Sequence, residues 1–271
     1  MKQAIGGISL VCALFAAAAA AAPAMAINFE PRDEQCEMSL NYDISLEPKK
    51  LSVSNQGKEH YRIEPGRLYV EGEEVALNAE QSKLVNEYSD AMAQQLPEVI
   101  SLVEDAVTMA SEAVSMALTP LLGDAAGAKL DETMDSLQQR VYEVAHRNGD
   151  QYFLGATEES LENAFGDEFS KEIEQLVQQS LGSLMMAMGS AMMSGEGETF
   201  DEKINAFSQK MEKMGKDIEV QMESRAQEME QRADALCDNF QRLLVLEDKL
   251  RKQIPELGEF QVLSGKVELQ Q

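Results

Sequence analysis

Five methionines crowd into nine residues, Met185-Met186-Ala187-Met188-Gly189-Ser190-Ala191-Met192-Met193, and they are the sharpest chemical feature of the sequence. Thioethers are soft ligands. Met185, Met188 and Met192 stand three and four residues apart, so one helix face could present all of them to Cu(I). A competing reading is packing, because methionine fills irregular core gaps and Gly182, Gly189 and Ala191 suit close helix contact. Methionine also recurs at Met109, Met116, Met134, Met211 and Met222, a scatter that favours packing. A third reading is a pliable apolar groove for an unfolded or apolar client.

Groups suited to catalysis are scarce. There are two histidines and no tryptophan. His60 lies between Glu59 and Tyr61 in a strand-like region, and His146 closes a helical pattern, where a cation favours the dipole; both read as surface residues. No nucleophile elbow, zinc-protease helix, phosphate loop or dinucleotide fingerprint occurs. Gly166-Asp167-Glu168-Phe169 has the look of a nucleotide-cyclase signature, but it lacks the preceding glycine and falls in a helical pattern. The acidic runs Glu71-Gly72-Glu73-Glu74 and Glu196-Gly197-Glu198 lack the alternating ligands of a calcium loop. We therefore single out no catalytic residue and no cofactor, and expect a non-enzymatic protein.

The N-terminus sets the compartment. Lys2 precedes an apolar, alanine-rich run from Ile5 to Ala22, Pro23 breaks it, and Ala24-Met25-Ala26 is a small-x-small cleavage motif. Cleavage is expected after Ala26, sending the chain to the periplasm with no membrane span left. The alternative is an uncleaved anchor, since the run is close to spanning length. Cys12, preceded by Leu10-Val11, sits inside the run and is lost with it, leaving Cys36 and Cys237. An even cysteine count in an exported chain reads as a disulfide. It would close a loop of about 200 residues, worth on the order of 5 kcal/mol by chain entropy. Two free thiols are the alternative.

Charge narrows the partners. After cleavage, 22 basic residues face 48 acidic ones, a formal charge of −26. Such a surface repels nucleic acid and anionic lipid. An envelope protein or a second copy remains as a partner.

Elements follow from periodicity. Met38 to Leu46 alternates apolar and polar residues, Leu51-Ser52-Val53 resumes after Pro48, and Leu68-Tyr69-Val70 faces Val75-Ala76-Leu77 across a tight turn. Residues 27–78 thus read as a β-meander. Asn78 with Gln81 makes a capping box that opens a helix. Pro97 is expected to bend or break that helix, and Pro120 with Gly123 to end it. Further helices are expected over 124–146, 158–193 and 200–253, with Gln151 to Leu154 a short strand or a packed loop. The last helix carries apolar or small residues in steps of three and four, with an extra step of four at Met222 and one charged intruder, Glu247. Residues 255–271 read as a loosely held C-terminal tail.

The order of these features resembles the YggN family of periplasmic proteins of unknown function. The resemblance rests on Cys36 followed by strands, Val75-Ala76-Leu77-Asn78-Ala79-Glu80-Gln81, Tyr88, Leu96-Pro97, Asn148-Gly149-Asp150, Gln178 to Gly182, Cys237 and Leu246-Glu247-Asp248. It implies an envelope location and pairing of Cys36 with Cys237, and carries no catalytic residues. The expected architecture is α+β, mostly α: a small N-terminal antiparallel meander packed as one domain with a bundle of long helices over 79–254. The expected role is binding of a partner, a client or another copy of the chain.

Overall fold

A computed structural model describes residues 38–193 and 200–265, leaving aside the side chains of 120–126 and of several positions between 179 and 210. Tight turns build the sheet. Strands β2 (Asp43–Glu47), β3 (Lys50–Asn55), β4 (Lys58–Glu64), β5 (Arg67–Val70) and β6 (Glu73–Val75) follow one another as antiparallel hairpins. Gln56-Gly57 and Glu71-Gly72 both carry positive φ at their two residues, the geometry that matches strand twist in two-residue loops. Ile44, Leu51, Val53, Tyr61, Ile63 and Leu68 turn inward into the main core.

The sheet exceeds the expected small meander. Strands β7 (Ala145–Asn148) and β8 (Gln151–Leu154) come from between the helices, and β8 pairs with β2, giving a seven-stranded sheet of order β6-β5-β4-β3-β2-β8-β7. The alternating run from Met38 to Leu46 is not one strand. It breaks at Asn41-Tyr42, and β1 (Met38–Leu40) pairs instead with β9 (Leu263–Gly265) in a separate two-stranded sheet.

Helix α1 (Ala79–Val144) opens with the anticipated capping box: the Asn78 side chain accepts from Glu80 and Gln81, and Gln81 returns a bond to the Asn78 amide. It continues through Pro97, although the missing donor leaves the Ala93 carbonyl without its helical partner. Burial of Leu96, Val99 and Ile100 on both sides of that proline outweighs the loss. The coiled backbone also runs on past Pro120 and Gly123. Yet a straight helix of 66 residues would run about 100 Å, whereas the whole seven-stranded sheet is about 29 Å across. Because α1 leaves the sheet after β6 and re-enters it at β7, it must fold back on itself. We place the reversal between Leu118 and Leu130, which both pack on the same small cluster.

The other helices lie along the two arms. Helix α4 (Phe200–Gln253) runs antiparallel to the first arm. Arg225 pairs with Glu112, Arg232 reaches Asp105 at 2.6 Å and Ser101 at 2.9 Å, and Gln81 bonds the Gln253 carbonyl at 2.7 Å. Helices α2 (Glu158–Phe165) and α3 (Asp167–Met193) divide at Gly166 and follow the second arm, where Arg140 meets Glu172 at 3.3 Å. Leu176 joins Leu130 and Met134 in a second, smaller core. The molecule is thus mostly helical with an antiparallel sheet, as expected. The helices, however, pair over two separate buried clusters, and no single bundle core gathers them among the described residues.

Asp43 fastens this arrangement. Nearly buried on β2, it accepts hydrogen bonds from the Ala156 amide (2.8 Å), the Thr157 amide (2.9 Å), the Thr157 hydroxyl (3.1 Å) and the Ser160 hydroxyl (2.8 Å). Thr157 itself caps α2. Asp43→Ala would leave this set of buried donors unpaired, and urea denaturation should show a loss of about 3 kcal/mol.

Candidate functional site

Glu247 is the charged intruder in the α4 pattern, and it is buried, with only 3% of its surface exposed. Its helical spacing puts it in line with Leu243, Leu250 and Ile254, all core residues. A carboxylate there needs donors, and the chain supplies them by turning back. Beyond α4, Pro255–Leu257 forms a single 3-10 turn, and Leu257, Phe260, Val262 and Leu263 are buried. One Glu247 oxygen accepts the Val262 amide in a short bond, and the other accepts the Leu263 amide at 2.9 Å. The segment expected to be a loosely held tail is, as far as Gly265, part of the main core. Its irregular apolar spacing follows no helix or strand period, which is why it read as loose.

Two further side chains read the backbone of the same segment. Arg251 donates to the Gly258 carbonyl at 2.7 Å, and the Asn41 side chain donates to the Gln261 carbonyl at 2.9 Å. The Asn41 amide donates to the Val262 carbonyl at 2.9 Å. Phe260 inserts among Tyr42, His60 and Tyr61, with ring centroids 5.2 to 6.3 Å apart. Burial pushes the Glu247 carboxyl up to about 7, against the two amides and Arg251, which favour the charged form. Burial likewise pushes up the phenols of Tyr61 and Tyr88, and the nearby Glu247 charge adds to both shifts.

A shallow groove of about 300 Å³ lies between α1 and α4. Gln94, Gln95 and Glu87 face Asn239, Arg242 and Lys249 across it. The Gln95 Oε1 atom is buried with no hydrogen-bond partner. The groove gathers amides and charges of both signs, with no nucleophile and base set together.

The residues singled out from sequence fall as follows. His60 sits on β4, its Nδ1 2.8 Å from one Glu71 carboxylate oxygen while Lys58 pairs with the other; the Lys58 and His60 bonds hold Glu71 below the usual carboxylate range. His146 does not close a helix: it belongs to β7, stacked between Tyr142 (5.0 Å) and Phe153 (5.4 Å), with Nδ1 buried and unpartnered. Met185 is on α3 and 73% exposed, while the side chains of Met188 and Met192 lie outside the described residues. Cys237 is half-buried on α4; Ala24, Ala26 and Cys36 lie outside the described residues. Among the described residues, no group of three or more histidines, cysteines, aspartates or glutamates is placed to hold a metal ion. No described helix is long and apolar enough to cross a membrane.

Apolar side chains do reach solvent on α3. Val177, Leu181 and Met185 recur every fourth residue and are 48%, 52% and 73% exposed. Together they form a stripe on one helix face, adjacent to the buried Leu176 that anchors the helix. In sequence, apolar residues at this spacing look the same as a core face; only the placement of the packing partner separates the two.

The fold is a long helical chain joined to a seven-stranded antiparallel sheet, with two buried carboxylates that accept backbone amides. The family described as protein of unknown function (DUF2884) matches residues 36–263, and the chain belongs to that family. No curated protein and no solved structure matches it.

Proposed function

We propose that this is an exported, non-enzymatic protein of the bacterial envelope whose helical face binds a partner: an envelope protein, an apolar client or a second copy of the chain. The observation that carries this reading is the exposed stripe of Val177, Leu181 and Met185. Large apolar side chains that share one face and stay in water mark interaction surfaces. The signal-peptide pattern before Ala26 supports export, as does the resemblance to the YggN family. A photo-crosslinking residue at position 181 should capture a defined partner in intact cells. Val177→Glu with Leu181→Glu should abolish that capture without shifting the melting temperature by more than a few degrees. Capture that persists in the double variant, or no capture at all, defeats the reading.

Export also supports a Cys36–Cys237 disulfide, because an oxidising compartment pairs the two cysteines that survive cleavage. Strand β1 begins two residues after Cys36 and brings that end of the chain onto the core that α4 helps to build. Mass spectrometry of protein isolated without reductant should find the two residues in one linked peptide; two alkylated thiols would refute the bridge.

A second reading is favoured by one observation. Met185 and Met186 are 73% and 77% exposed, so their thioethers are accessible and do not fill a core. With Met188 and Met192 on the same helix, they could bind Cu(I). Titration against a Cu(I) chelator should then show one equivalent retained by the wild type and lost in the Met185→Leu, Met188→Leu, Met192→Leu variant. Failure to compete at all removes the metal reading.

A further inference from the structure

The C-terminal segment is held in a manner unlike the rest of the core. Residues 258–265 make one short strand pairing, β9 with β1, bury Phe260, Val262 and Leu263 in the main core, and are gripped along their backbone by three side chains, Arg251, Asn41 and Glu247. Two of these three grips come from α4, and the Glu247 grip is the only one that is an acid in an apolar setting. Arg251, one helical turn away, directs its guanidinium to the Gly258 carbonyl and not to the carboxylate. Glu247 therefore keeps its place through two backbone amides alone, and those amides belong to the segment it secures.

We propose that residues 258–265 form a proton-linked strap, seated more firmly on α4 in mild acid and released progressively as the pH rises, with Glu247 as the group that senses the change. When the strap is seated, water is excluded from the carboxyl and the proton is retained up to about pH 7. When the strap lifts, the amides leave and solvent enters, so the group returns to the behaviour of an ordinary carboxylic acid. The seated form thus binds the proton more tightly than the lifted form. By linkage, the seated-to-lifted ratio is highest at low pH and falls as the pH rises through the interval between the two values, becoming level above about 7. This runs opposite to the usual salt-bridged carboxylate, whose stabilisation is lost in acid.

The groups around Glu247 are accounted for. From β4 come Tyr61 and, against Phe260, His60; from α1 comes Tyr88; from the turn before β2 comes Tyr42; from α4 itself comes Arg251; and the strap contributes Glu259, whose charge acts on Tyr42. The tyrosines remain neutral through the interval because burial raises each of them above its ordinary value. His60 is the one imidazole beside the strap, which it touches through Phe260. The test must separate the two.

Amide exchange in the full exported chain, followed by NMR at Val262 and Leu263 and corrected for the intrinsic pH dependence of exchange, reads strap opening directly. Between pH 5.5 and 7.5 the protection of these two amides should fall about 20-fold. Glu247→Gln, which keeps an acceptor without a charge, should hold protection level across that range, while His60→Gln should leave the fall intact. A level profile in the wild type, a fall that survives in Glu247→Gln, or a fall that vanishes in His60→Gln overturns the proposal. Should Glu247→Gln not fold, the wild-type Glu247 carboxyl carbon decides: a titration midpoint near 7, shared by the Val262 and Leu263 amide shifts, supports the strap, and a midpoint below 5 refutes it.

Discussion

Helix α1 departs from the sheet after β6 and must deliver the chain back to the same sheet at β7. That requirement organises everything downstream. The two arms of α1 have different helical partners: α4 along the arm that packs on the sheet core, α3 along the other. The stagger of ion pairs along α1 and α4, from Arg225–Glu112 to Arg232–Asp105, shows one continuous antiparallel alignment. Exposed pairs of this kind contribute little each, but they fix register along helices that otherwise slide.

Where the long elements end, buried carboxylates finish the work. Asp43 and Glu247 are both acids at the edge of the main core, and both accept backbone amides from a segment distant in sequence. Each converts an irregular stretch, which brings unpaired N–H groups into the interior, into a seated one. The two differ in what surrounds them. Asp43 also accepts two hydroxyls, whereas Glu247 has the two amides and apolar walls.

Local chemistry made much of this legible. The Asn78–Gln81 capping box and the span of α4 rest on neighbours within a few residues, and each stands where its residues point; the turn after Val70 is tighter than expected, Glu71-Gly72 alone, so β6 begins at Glu73 and not at Val75. What escaped depended on distant partners. Gln151 to Leu154 is too short to declare itself a strand, and becomes one because β2 offers an edge. Pro97 looks like a helix end, yet helical bonding passes through it, whereas Pro120 with Gly123 does fall where α1 turns back. Residues 257–263 have no periodicity at all, because their partners are an acid on α4, an asparagine after β1 and an aromatic cluster on β4. Of the candidate site, Glu247 was visible as an anomaly in a helical stripe; its two amides were not.

The pairing of β1 with β9 joins residues 225 positions apart, Ser39 with Ser264. Nothing near β1 in the sequence can substitute for that partner, because β2 is already taken by β3 and β8. Synthesis from the N-terminal end therefore produces helices long before it produces a finished core. Until the last strand emerges, the inner face of α4 and the aromatic seat around Tyr61 have no cover. Helices of this length form in about a microsecond, while closure of so distant a contact is slow, so the immature chain spends that interval with its apolar seat open to water, to chaperones and to other copies of itself.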